Sequence, residues 1–188
     1  MVMLATGVLL WAVVHMIPGP GRSLRQKFIA STGEKPYKGV FSLALVAALL
    51  LIVFGWRSTT PEAIYLPPSW GRAAAIALMP LAIFLFGASH AKTRVKRVIR
   101  HPQLSSVILW AIAHLLANGD DRSIVLFGGM GLWAILEIVA INRRDGDWIK
   151  PEAPSLAVEI RGIVITAAIF VALVFLHPLF AGVSVLQR

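Results

Sequence analysis

Six apolar runs, at 2–17, 39–56, 70–89, 103–117, 123–141 and 160–180, alternate along the chain with short polar segments. Each approaches the roughly 20 residues that cross a hydrocarbon core as a helix, and the fourth is the shortest. None shows the alternating polarity of a barrel strand. Backbone amides in lipid must be satisfied within their own segment, so the pattern predicts helices. The expected fold class is all-α: a polytopic integral membrane protein with about six transmembrane helices. The first run lacks a basic leader and an A-x-A-like cleavage site, and is read as a retained helix.

Turn-forming residues separate the runs: Pro18-Gly19-Pro20-Gly21 after the first, Pro61 and Pro67-Pro68 in the second loop, Asn118-Gly119-Asp120 between the fourth and fifth. No period of 20–50 residues recurs and no low-complexity tail appears, which predicts a single transmembrane domain over 1–188. Pro80 predicts a kink in the third helix. Gly128-Gly129-Met130-Gly131 predicts a close helix approach in the fifth. Residues 143–159, the one sizeable polar insertion, read as a solvated loop.

Composition sharpens this reading. The chain is 57% hydrophobic and 14% charged, with mean hydropathy +0.77, against about 45–50% and 25% in soluble domains. A net charge of +9 would suit nucleic acid, but the basic residues lie in short loops between apolar runs. Arg22, Arg25, Lys27, Lys35 and Lys38 fill the first loop, Lys92, Arg94, Lys96, Arg97 and Arg100 the third, and Arg143, Arg144, Lys150 and Arg161 the fifth. The positive-inside rule places those loops in the cytoplasm and both termini on the far side of an inner membrane. The expected partner is therefore the lipid bilayer, and nucleic acid is excluded.

The chain has no cysteine, hence no disulfide and no thiolate ligand; His, carboxylate and Met remain for any metal. Gln103, Val107, Trp110, His114 and Asn118 follow one another at steps of four, three, four and four, forming one stripe on the fourth helix. An isolated ionisable group at membrane depth costs roughly 2.5 kcal/mol or more, so His114 needs a partner. A carbonyl of another helix is one; a metal or cofactor is another. His15, near the end of a first run with no other ionisable group, is a second such imidazole. Two neutral imidazoles suit haem iron, whose flat apolar macrocycle is compatible with a lipid-embedded pocket. Zinc would want four ligands, and no HExxH or tight His/carboxylate cluster supplies them.

Depth is the difficulty with that pair. His15 lies near the cytoplasmic end of helix one, whereas His114 is about 13 residues, or roughly 20 Å of rise, beyond His101 at the cytoplasmic start of helix four. Tilt or a re-entrant first loop would have to close the gap; otherwise His101 becomes the partner of His15. Arg100-His101-Pro102-Gln103 reads either as a helix start beside lipid headgroups or as a place where Arg100 holds a haem propionate. His90 and His177 read as interfacial. Glu137 reads as a carboxylate that snorkels or pairs with a nearby basic residue, with a proton relay as the alternative. Trp56, Trp70 and Trp148, near span ends, read as interfacial anchors.

His15, Gly33-Glu34-x-Pro36-Tyr37-Lys38-Gly39-Val40-Phe41-Ser42, Arg100-His101-Pro102-Gln103, Trp110-x-x-x-His114 and Asn118-Gly119-Asp120 together make a specific set. With them, and over nearly its whole length, the chain resembles the NnrU family of bacterial membrane proteins, whose plant relatives are the zeta-carotene isomerases. The resemblance implies haem b held by His15 and His114, which would be both metal ligands and catalytic residues. Arg100, His101, Gln103, Trp110 and Asn118 complete the expected cofactor surround. It further implies a role in nitrite and nitric oxide metabolism, or haem-dependent cis-trans isomerisation of a lipid-soluble polyene, in the bacterial inner membrane. A non-catalytic haem protein for electron transfer or nitric oxide binding is the alternative. The Arg-His-Pro motif is also similar to membrane methyltransferases of the isoprenylcysteine type, without their downstream glutamate and tyrosine pattern. One departure stands out: the plant isomerases carry a cysteine three residues before the second histidine, where this chain has Ala111.

Overall fold

The computed structural model describes residues 1–19 and 21–185, so Pro20 of the first turn lies outside the described residues. Every apolar run is a helix: α1 (Val2–Met16), α3 (Glu34–Ser58), α4 (Gly71–His90), α5 (Pro102–Ala117), α6 (Asp121–Asp145) and α7 (Leu156–Ala181). Four of these, α3, α4, α6 and α7, are long and apolar enough to cross a membrane. The apolar α1 and α5 are shorter, at 15 and 16 residues, or roughly 23 Å of rise against a core of about 30 Å.

The helix ends follow local chemistry. Pro102 opens α5, where its missing N–H would be unpaired in any case. Asp120 caps α6 by accepting from the Ser123 N–H at 2.9 Å. Gly182 ends α7 in the left-handed region at φ 75°. The first polar loop differs from expectation in containing a helix, α2 (Arg22–Thr32). It carries Arg22, Arg25 and Lys27; Phe28 packs on Tyr37 at 6.0 Å and the Arg25 guanidinium sits 5.5 Å from the same ring. A short basic helix of this kind suits a membrane interface, and the length of an apolar run cannot announce it.

Glycines set the contacts between helices. A Cβ on Gly7 of α1 would stand 2.7 Å from the Ile52 N of α3, and one on Gly55 of α3 would meet the Leu4 backbone of α1. Helix α6 lies between α1 and α5: a Cβ on Gly129 would meet Val8 Cγ1 at 2.6 Å, and one on Gly131 would meet Ala111 Cβ at 3.1 Å. The expected close approach at 128–131 is therefore present, and it works on two sides. Leu4, Val8, Met130, Trp133 and Ala134 form the core there. Helix α7 packs on α4, and none of its apolar stretch is buried.

The loops are clasped at both ends. At one, the Ile64 and Tyr65 N–H groups donate to the Gly119 carbonyl at 2.8 and 3.0 Å, and the Tyr65 hydroxyl donates to the carbonyls of Leu115 and Asn118. At the other, Arg94, Arg97 and Arg100 donate to the carbonyls of Pro154, Pro151 and Gly146. The polar insertion is thus pinned to the preceding basic loop, not left wholly to solvent. Backbone carbonyls, invisible to a count of charges, supply the acceptors.

Candidate functional site

Helix α5 positions His114 against its own preceding turn. Its Nδ1 lies 2.8 Å from the Trp110 carbonyl oxygen, so the partner is the same helix and not another. With Nδ1 donating, Nε2 carries the lone pair, the arrangement in which ligating histidines are usually held. The ring stacks on Phe127 at 4.3 Å and 20°, and tilts against Trp110 at 5.2 Å.

Beside it opens a cavity of about 880 Å³ between α4, α5 and α7. It exists because α7 rests on α4 and leaves space toward α5. Its walls are mainly apolar, with Phe84, Trp110 and Leu173 among them; His114 and His177 line one part, Glu159 and Arg161 another. A second cavity of about 310 Å³ shares both histidines and adds Arg72 and Asn118. Both volumes fall within the roughly 300–1,000 Å³ typical of small-molecule sites. His177 is anchored as His114 is, its Nδ1 2.7 Å from the Val183 carbonyl oxygen.

His15 lies elsewhere. Its Nδ1 is 2.9 Å from the Trp11 carbonyl oxygen, and its ring packs on Trp11 at 4.4 Å, Trp133 at 5.0 Å and Phe41 at 6.1 Å, among α1, α3 and α6. It lines neither cavity. Helix register gives the depth difference. Val8 faces Gly129 on a helix parallel to α6, and Ala111 faces Gly131 on an antiparallel one. His15 therefore lies level with about residue 136 and His114 with about residue 128, roughly 12 Å apart along the axis. His15 thus sits among α1, α3 and α6, and His114 beside the cavity of α4, α5 and α7.

The remaining nominated residues divide between the two ends of α5. His101 does not pair with His15: its Nε2 is 2.8 Å from Asn142 Oδ1, tying the start of α5 to the end of α6. Arg100 donates to the Gly146 carbonyl at 2.7 Å, and Gln103 is exposed nearby, both at the end of α5 away from His114. Trp110 lines the larger cavity. Asn118 lines the smaller one and closes α5, its backbone N–H and Nδ2 both donating to the His114 carbonyl, at 2.8 and 2.9 Å. Glu137 is buried near Gly19, and among the described residues its Oε2 has no hydrogen-bond partner.

Two residues of the cavities escaped the sequence reading. His177 looked interfacial because it precedes Pro178 near a helix end. Arg72 offered a signal that was available, as the one charged residue in the 70–89 run. Among the described residues no group of three or more His, Asp or Glu could hold a bare metal ion. A porphyrin, which brings its own nitrogens, would ask the protein for only one or two imidazoles.

The family model described as NnrU protein matches residues 3–185. No curated protein and no solved structure matches the chain.

Proposed function

The chain belongs to the NnrU family, and we propose that it is a bacterial inner-membrane protein that holds haem b on His114 in the cavity between α4, α5 and α7. The observation that carries this is the imidazole itself: Nδ1 committed to the Trp110 carbonyl, the ring lining an apolar cavity of about 880 Å³. Trp110 and Phe127 fix the ring plane. Apolar walls exclude water. Arg72, which lines the adjoining cavity and donates to the Val185 carbonyl, offers a cation for a propionate at the His114 end of α5.

Bound there, haem would supply an iron able to coordinate nitric oxide or the double bond of a polyene. The room around His114 favours such ligand-taking chemistry over a sealed electron carrier. A lipid-soluble ligand would enter beside α7, which packs on α4 and buries none of its apolar stretch. For topology we propose six crossings, with both termini on the non-cytoplasmic side. The clustering of the basic first, third and fifth loops supports it, and α1 and α5 would cross with local thinning of the bilayer.

A pyridine haemochrome assay on the purified full chain, with His114→Ala and His101→Ala beside the wild type, tests the site. We expect a b-type signal, lost or strongly weakened in His114→Ala and kept in His101→Ala. Absence of haem from the wild type, or an unchanged His114→Ala, overturns the reading. Addition of nitric oxide and of cis-polyenes to the reduced protein then separates gas binding from isomerisation.

A further inference from the structure

We infer that the cavity between α4, α5 and α7 takes a single-chain lipid acid, its carboxylate at the end formed by Thr93 and Arg161 and its chain running toward His114. This deepens the reading above by naming the class of molecule that would meet the iron. It rests on that reading for the chemistry, whereas binding needs only the cavity. The shape is that of a chain: the lining runs along α4 and beyond it from Met79 to Ala91, and along α7 from Val158 to His177, about 18 and 28 Å of helix rise. One lipid chain occupies about 15 Å, half of a 30 Å hydrocarbon core.

The end away from His114 is polar. Thr93 lines it and is 5% exposed, and its Oγ1 has no hydrogen-bond partner among the described residues. A buried hydroxyl left so costs about 1–3 kcal/mol, which a ligand oxygen would recover. The Arg94 N–H donates to Glu159 Oε1 at 2.6 Å, fixing the start of α7 beside Thr93 and bringing Arg161 to the same end. Glu159 is thereby engaged, while Arg161 belongs to none of the ion pairs among the described residues. Lys92 and Lys96 flank Thr93, so the balance of charge is cationic. One guanidinium and one hydroxyl match one carboxylate. In the topology proposed above this end is cytoplasmic. The head then lies at the interface and the chain points to the midplane, as in the leaflet from which it enters between α5 and α7.

Saturable binding of tritiated oleic acid and of tritiated methyl oleate to the bead-captured full chain tests this, with haem measured on the same samples. The acid should bind about tenfold or more tighter than the ester, the worth of a charge-assisted hydrogen bond. Arg161→Gln should remove that advantage and leave the ester unchanged; Thr93→Val should weaken the acid by about threefold or more. Ile165→Trp, which fills the apolar part, should weaken both. Arg57→Gln, at the far end of α3, should change neither. Where Thr93→Val fails to accumulate, Arg161→Gln carries the test. Acid and ester bound alike, an Arg161→Gln variant that keeps the preference, or equal losses from Arg57→Gln overturn the inference, and do so without touching haem on His114. Acid binding of the expected pattern in a chain without haem overturns the haem reading and leaves the lipid site standing.

Discussion

The ring of His114 lies on that of Phe127 with centroids 4.3 Å apart and planes 20° from parallel. Phe127 belongs to a π-helical stretch, Ile124–Gly128, at the start of α6, and packs also on Trp110 at 4.7 Å and Trp56 at 6.0 Å. Such stretches widen a helix by one residue and recur at functional sites. Phe127→Ala removes the buried surface under the imidazole and should cost about 3 kcal/mol or more. Thermal unfolding in detergent checks this. Phe127→Leu should cost less, yet still alter the haem spectrum, because it keeps most of the volume and loses the flat ring.

Gly119 is required by close approach. A Cβ there would meet the Tyr65 carbonyl and stand 3.1 Å from Pro67 Cδ, while the Gly119 carbonyl accepts from two N–H groups. Gly119→Ala should destabilise the protein by about 1–3 kcal/mol, the range for forced repacking. Gly39, in the first turns of α3 with nothing near its Cβ position, is the contrast. Gly39→Ala should be neutral or stabilising by up to about 1 kcal/mol. Equal melting temperatures for the two variants would refute the account.

Tyr65 makes the clasp between the second loop and α5 dependent on pH. Burial, and then the Asp120 carboxylate, push its phenol above the usual tyrosine value. A group whose value is raised on folding contributes stability that is fully present below its unfolded value, about 10. That stability is lost as the pH rises through the higher folded value. Tyr65→Phe should therefore melt lower than wild type at neutral pH, with the difference closing in strongly alkaline buffer. A gap that stays constant to high pH would show that the hydroxyl does not hold the clasp.

Topology is open to direct chemistry, because the chain has no cysteine of its own. Glu62→Cys, in the loop clasped to Gly119, should react with a membrane-impermeant maleimide in intact cells. Glu152→Cys, in the loop held by Arg94, Arg97 and Arg100, should react only after the membrane is opened. The reverse pattern would invert the proposed orientation.

Much of the architecture was legible because its causes are local. The helices track the apolar runs to within a few residues, Pro102 and Asp120 mark the starts of α5 and α6, and Gly128-Gly129-Met130-Gly131 announces close packing. The Trp110, His114 and Asn118 stripe was readable for the same reason, since neighbours on one helix face are set by helical geometry alone. Helix α2 was not readable from apolar run length, being short and polar, nor was the clasp of three arginines on backbone carbonyls.

By itself the sequence determined that this chain is all-helical and bears membrane-spanning helices, because each apolar segment must satisfy its own backbone whatever its neighbours do. It also nominated His114 on chemistry alone. Which imidazole shares a cavity with His114 was decided by tertiary structure. That arrangement depends on how α5 lies along α6, and on the space α7 leaves by resting on α4. Both are contacts between residues distant in sequence, and a repeat along one helix carries no information about the register of another.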